Sequence, residues 1–356
     1  MSQEMIATTE RLGSYLQASR QAAPNPICAI DTEADSLHRY RESLCLIQFA
    51  DRNHAVLIDP LAIDDLSPLG EYLSIATVWM HGADYDMTML KRQFGNPPAV
   101  VYDTQIGARL LGVRRFGLGD LVSHYFGVDL SKSSQKADWG KRPLSPLMIE
   151  YALNDVHYLL EMGDKIVAAL QENGRYPWFL ESCLAARQRV LARDDTKEEN
   201  WRVQGSGKLA PYGLACLRAL WLWRDGEAKT WDRPSFMVAP NRQLLEWSIA
   251  LDARKSITPP SHYRPDRLKR FHAALAKAEQ LNESEWPERA PSTRRKRDRE
   301  FDQKIDALIS TREQVATQLD IEGSLIASRA ALESLVEGDA QPADLLLNWQ
   351  RECLGL

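Results

Sequence analysis

The sequence predicts an α/β domain, with a mixed sheet flanked by helices, followed by all-α helical regions. Three observations carry that expectation. Apolar runs of strand length crowd residues 27–58 with short intervals between them. Helical and strand-like patterns then alternate up to residue 170. Beyond residue 200 the apolar residues recur at helical spacing. A chain of 356 residues exceeds one ordinary core, so two or three domains are expected.

The elements follow in order. Thr8-Thr9-Glu10-Arg11-Leu12 opens an amphipathic helix with a threonine N-cap. Ile27 to Asp31, Leu44 to Ala50 and Ala55 to Ile58 read as strands joined by antiparallel, hairpin-like connections. The second is nearly all apolar, as a strand covered on both faces should be, and Asp59-Pro60 ends the third. A helix near 65–75, a strand from Thr77 to His81, a helix from Tyr85 and a strand from Val100 to Tyr102 come next. Asp103 caps the helix that runs through Leu111. Another helix follows Gly117, and a long one spans Ser145 to Leu170. Residues 191–200, rich in charge, read as a linker. Leu214 to Asp225 and Gln243 to Ala250 are helical, separated by Arg233-Pro234, and the tail ends in a further apolar helix around Leu345 to Arg351.

Composition narrows the function. Hydrophobic content of 44% and charged content of 26% are ordinary for a globular protein. No apolar run approaches the ~18 residues of a membrane span, and Met1 to Met5 lack a basic stretch leading into an apolar one, so no secretory signal is expected. The five cysteines are scattered without a C-x-x-C pair, which disfavours a zinc site and fits a reducing, cytoplasmic setting. Net charge is −5, which argues against a protein that coats nucleic acid nonspecifically. Residues 1–195 hold 19 Lys+Arg against 25 Asp+Glu, so any grip on phosphates must be local.

Three patches carry the chemistry: Asp31-Thr32-Glu33, His81 to Asp86, and Tyr151 to Asp155. On a strand, Asp31 and Glu33 share a face; on a helix, so do Tyr151 and Asp155. Carboxylates gathered at one spot repel each other unless cations sit among them, and hard oxygen ligands suit Mg²⁺ or Mn²⁺. Two such ions about 3.5–4 Å apart are a general device for phosphodiester hydrolysis.

In that order and on those elements the patches resemble the exonuclease motifs of the DEDD superfamily of 3′→5′ exonucleases. Tyr151 ahead of Asp155 resembles its tyrosine-bearing branch. Leu130 to Trp139, followed by Arg142-Pro143-Leu144-Ser145, is similar to ribonuclease D. The resemblance implies a ribonuclease H-like nuclease domain over residues 1–190. It also implies two divalent ions, Mg²⁺ or Mn²⁺, with Asp31 shared between them. Glu33 and Asp155 would complete the site of the ion that holds the nucleophile, Asp86 would serve the other ion, and Tyr151 would orient the attacking water. The family match favours Asp86 over its neighbour Asp84. The implied activity releases 5′-mononucleotides from RNA 3′ ends, with tRNA precursors as the implied partners. Gly82 departs from the asparagine that many superfamily members carry nearby.

Trp223-Arg224-Asp225 through Asp232-Arg233-Pro234, then Leu244-Leu245, resembles an HRDC domain, which places that module at residues 201–285. A basic linker, 286–300, then separates it from a second, divergent HRDC-like region at 301–356.

Other residues have two readings each. Lys132, Lys136 and Arg142 are either substrate contacts or surface charges. His81 reads as a structural hydrogen-bonding residue, and His157 turns away from the face of Asp155. The basic run at 294–299 reads as a solvated hinge. Gly205-Ser206-Gly207-Lys208 lacks the full phosphate-loop spacing, so no nucleotide cofactor is expected. Two other functions share the pattern: a DNA-directed 3′→5′ exonuclease, and a nucleic-acid-binding adaptor that has lost catalysis.

Overall fold

The structure is a computed structural model that describes residues 5–22, 25–131, 133–193, 200–289, 299–338 and 340–356. Lys132, residues 194–199 of the expected linker and residues 290–298 of the expected basic linker lie outside the described residues.

The chain forms two compact units. One holds the described residues of Met1–Ala34, Leu44–Arg193 and Arg297–Leu356; the other holds those of Asp35–Ser43 and Asp194–Lys296. In the first unit the elements run β1 (Met5–Ile6), α1 (Thr9–Ala22), β2 (Ile27–Ala34), β3 (Leu44–Ala50), β4 (Ala55–Ile58), α2 (Ser67–Leu73), β5 (Thr77–Met80), α3 (Asp84–Phe94), β6 (Val100–Asp103), α4 (Thr104–Leu110), α5 (Leu118–Phe126), α6 (Pro146–His157), α7 (Leu159–Glu172) and α8 (Tyr176–Ala192). The sheet order is β1-β4-β3-β2-β5-β6. β2–β3 and β3–β4 are antiparallel, whereas β1–β4, β2–β5 and β5–β6 are parallel. The sheet is therefore mixed, with its antiparallel part early in the chain, as the short early connections require.

β3 is buried along its whole length, which accounts for its unbroken apolar run. Side chains of β2 alternate between two cores. Cys28 and Ile30 join Leu12, Leu69, Tyr72 and Leu90 of the helices on one face. Ala29 joins Trp79, Ile166 and Phe179 on the other. β2 extends three residues beyond the expected Asp31, because Thr32, Glu33 and Ala34 still pair with Ile47, Leu46 and Leu44 of β3. The helix expected from Ser145 to Leu170 divides at Tyr158 into α6 and α7. Ala152 of α6 packs with Leu46, Leu57 and Trp139, while Leu159, Met162 and Ile166 of α7 pack with Trp79 and Phe179.

The second unit contains α9 (Pro211–Trp231), α10 (Ser235–Val238), α11 (Asn241–Asp252) and α12 (Pro265–Glu279). Its core joins Leu214, Leu217 and Trp223 of α9 to Leu244 and Trp247 of α11 and Phe271 of α12. A buried Glu227 takes ion pairs from both Arg267 and Arg270 of α12. Asp35–Ser43 belongs to this unit: the Tyr40 hydroxyl donates to Asp225 at 2.8 Å, and Arg233 donates to the carbonyl of His38 at 2.8 Å.

The tail forms α13 (Arg299–Leu319), α14 (Gly323–Ile326), α15 (Arg329–Glu337), α16 (Pro342–Leu345) and α17 (Asn348–Leu354). These helices pack into the core of the first unit: Ile305, Ile326, Leu332 and Trp349 share a cluster with Trp79 and Phe179. Trp349 stacks on Trp178 at 4.9 Å, and Arg175 donates to the carbonyl of Leu319 at 2.7 Å. Gly112 marks the same seam. Its φ is +85°, and a Cβ there would lie 2.3 Å from the carbonyl oxygen of Asp320, so only glycine fits. Among the described residues no helix is long and apolar enough to cross a membrane.

Candidate active site

β2 and α6 bring the outer two acidic patches together. Asp31 and Glu33 lie two apart on β2, opposite Gln48 and Leu46 of β3. Ser145 caps α6 by accepting from the Met148 amide, and Pro146 occupies the first turn, so the helix start is fixed locally. Tyr151 and Asp155 then fall on one face of α6, and the Tyr151 hydroxyl hydrogen-bonds the Asp155 carboxylate. Carboxylate oxygens of Asp31, Glu33 and Asp155 lie within 4.8 Å of one another.

Asp86 arrives by a different route. β5 ends at Met80, and Gly82 turns the chain into α3 with φ +66°. Glycine reaches this left-handed backbone at little cost, which suits Gly82 to the turn. Asp103 holds the turn in place, accepting from the amides of Gly82 and Ala83 at 2.9 Å and of Gln105 at 2.8 Å. It is thus the expected cap of α4, and it also anchors the α3 entry. Asp86, 6% exposed, presents its Oδ1 to Thr32, which donates from its amide at 2.9 Å and from its hydroxyl at 2.6 Å. Asp86 is not one of the three residues whose oxygens cluster within 4.8 Å, but its charge is felt by Asp31, Glu33 and Asp155.

The electrostatics are those of a carboxylate array without counter-charge among the described residues. Burial, then Asp86, Asp155 and Glu33, holds the Asp31 carboxyl well above the usual range. Glu33 is pushed up to about 9 by burial and then by Asp155 and Asp86. Burial raises Asp155 to about 7 against the pull of the Tyr151 hydrogen bond. Burial raises Asp86 to about 6 against the hydrogen bonds from Thr32. Burial and the neighbouring Asp155 push the Tyr151 phenol upward, so it remains a donor. Among the described residues no Lys or Arg pairs with these four acids. Buried like charges of this kind call for cations, and the hard-oxygen donor set fits divalent metal ions of the Mg²⁺ or Mn²⁺ type.

The remaining sequence candidates separate clearly. Arg142 is half-buried, and all its N–H groups are engaged: with Asp59 in a two-pronged pair at 2.6 and 2.7 Å, and with the carbonyls of Cys45, Trp139 and Lys141. Against the expectation of a phosphate contact or a free surface charge, it is a strut that leaves no donor for substrate. Lys136 is exposed. His81 shares a hydrogen bond with Thr104 at 2.9 Å, in keeping with a structural role, and burial pushes its imidazole pKa down. His157 is exposed. Residues 206–208 form a single 3-10 turn. Sequence reasoning missed Thr32 and Gln48, although Gln48 left a signal: it is the one strongly polar residue in β3.

A family model described as a 3′-5′ exonuclease matches residues 3–171. Ribonuclease D of Xanthomonas oryzae is 32% identical over 362 residues, covering 98% of this chain and 95% of that protein. Ribonuclease D of Escherichia coli is 35% identical over 257 residues, covering 70% of this chain and 66% of the relative. The crystal structure of Escherichia coli RNase D, described as an exoribonuclease involved in structured RNA processing, matches with TM-score 0.77 at 28% identity, over 100% of this chain and 97% of that one. Two acidic patches brought to one point on a mixed sheet and a full-length likeness thus lead to one family: the chain belongs to the ribonuclease D family of 3′→5′ exoribonucleases.

Proposed function

We propose that Asp31, Glu33, Asp86 and Asp155 hold two divalent ions, Mg²⁺ or Mn²⁺, and that with Tyr151 they hydrolyse the terminal phosphodiester of RNA 3′ ends to 5′-mononucleotides. The observation that carries this reading is the approach of the Asp31, Glu33 and Asp155 oxygens to within 4.8 Å of one another, with every carboxyl of the site displaced upward by burial. When bound, such a pair of ions screens the phosphate charge and makes hydroxide available near neutral pH. The chain's own residues supply the rest. Tyr151 stays protonated and holds Asp155, so it positions water by hydrogen bonding and is not the base. Thr32 sets the direction of the Asp86 carboxylate.

The substrates in this reading are structured RNAs, tRNA precursors foremost, in the cytoplasm. The helical unit of residues 201–285 acts as an HRDC-like module and residues 301–356 as a divergent second one. The test uses a 5′-labelled RNA and a matched DNA strand. The RNA should shorten stepwise from its 3′ end with Mg²⁺ or Mn²⁺ and not with EDTA, and Asp31→Asn should abolish shortening while the fold is kept. Binding of RNA without metal-dependent shortening would overturn the reading, and equal shortening of DNA would remove its RNA preference.

A further inference from the structure

We propose that Gln48 is a positioning residue for the metal-holding carboxylates: its amide nitrogen fixes one oxygen of Asp31, and its amide oxygen accepts from a water hydrating the bound cation. The inference rests on the nuclease reading above.

Gln48 lies in the middle of β3, paired with Asp31 on one side and Leu57 on the other, and is fully buried. The other residues of β3 are apolar or cysteine, so a leucine or valine would be the least costly occupant of this position. The amide is nevertheless there, and it is only half satisfied. Nε2 donates to Asp31 Oδ2 at 3.2 Å, whereas the buried Oε1 has no hydrogen-bond partner among the described residues. Turning the amide over would set its oxygen against the carboxylate, so Asp31 decides which end faces it. The outcome is a carboxylate with one oxygen tied and the other left for a cation. Beside it sits an acceptor that the described protein groups leave unmet. A partner that orients a ligand carboxylate in this way governs metal affinity more than it governs the fold.

The experiment uses the full-length chain stripped with EDTA. Mn²⁺ binding is followed by the spin-resonance signal of the free ion, alongside RNA digestion over a range of Mn²⁺ concentrations. Gln48→Met keeps the volume and loses the amide; Gln48→Asn keeps an amide and withdraws it from Asp31. Both variants should bind Mn²⁺ roughly 10–100-fold more weakly. Each should need correspondingly more Mn²⁺ for half-maximal rate, with KM for RNA at saturating Mn²⁺ unchanged. A purely structural Gln48 predicts parental Mn²⁺ binding in whichever variant folds, and that result overturns the proposal. So does failure of both variants to fold, which would make Gln48 a residue of the fold. If the parent itself takes up no Mn²⁺, the nuclease reading falls, and this inference with it.

Discussion

Replacing Glu33 by glutamine should stabilise the metal-free protein while destroying its use of metal. Glu33 has an ordinary pKa of 4.5 and is pushed to about 9 in the fold. A carboxyl raised in this way is protonated in the folded chain at pH values where the unfolded chain has ionised. Folding then takes up a proton, and stability falls as pH rises from the unfolded value to the folded one. Near pH 7 the gap already spanned is about 2.5 units, worth roughly 3 kcal/mol at about 1.4 kcal/mol per unit. Glutamine has nearly the same shape and no proton to exchange, so this cost disappears. Sharing of charge among the four acids reduces the gain to about 2 kcal/mol. At roughly 2–4 °C per kcal/mol, the melting temperature in EDTA near pH 7 should rise by about 4–8 °C. Near pH 4.5 the two proteins should melt together. Saturating Mn²⁺ should invert the order, because only the parent gains the full binding energy of the ions. A Glu33→Gln protein that melts below the parent in EDTA near pH 8 would refute the reasoning, since Glu33 would then be held by favourable contacts and not strained by burial and like charge.

Three further outcomes follow from the same geometry. Thr32→Val keeps the branched shape and the amide but loses the 2.6 Å hydroxyl bond to Asp86; kcat should fall by about tenfold, and Thr32→Ser should restore it. Tyr151→Phe keeps the ring that packs near Trp139 at 6.1 Å; kcat should fall about 10–100-fold with KM for RNA and melting temperature little changed, as expected for a group that only orients water. Metal uptake should release protons near pH 7, because carboxyls at about 7 and about 9 must ionise to bind. Titration calorimetry in buffers of different ionisation heat would measure that release, and it should diminish as the pH rises past about 9.

The elements legible in the sequence are those whose burial is continuous. β3 and β4 were read to the residue because apolar side chains fill them. β1 was not, because its two residues become a strand only through parallel pairing with β4. α8 was missed for a related reason: it buries only Phe179, Cys183 and Val190, so its apolar period is faint. The tail read correctly as helical, but no local pattern says that Ile305 and Trp349 belong with Trp79 and Phe179. At the site, spacing rules placed Asp31 with Glu33 and Tyr151 with Asp155. The hydrogen-bond partners escaped, because Gln48 and Thr32 meet their acids through strand register and the entry of α3, which are long-range facts. Arg142 had two readings in the sequence and neither holds, since its partner Asp59 lies far away along the chain.

Asp86, Asp155 and Glu33 differ in the donors the fold gives them, whereas burial and like-charged neighbours hold Asp31 well above the usual range even with the Gln48 amide as donor. Asp86 receives two hydrogen bonds from Thr32 and is raised only to about 6. Asp155 receives one from Tyr151 and stands at about 7. Glu33, with no donor among the described residues and two like-charged neighbours, reaches about 9. Burial raises all three; hydrogen bonds pull Asp86 and Asp155 back, while Glu33 has two like-charged neighbours and no donor among the described residues to offset them. A fold selected for stability alone would have given Glu33 a donor or replaced it, because an unmatched buried acid is costly. Leaving it without one keeps its oxygens open, and on the proposed reading an incoming cation would relieve that strain. The same pattern recurs at Gln48, whose nitrogen is matched and whose oxygen is not. The donors present fix direction, and in the proposed reading the donors absent fall where metal and water would complete the site.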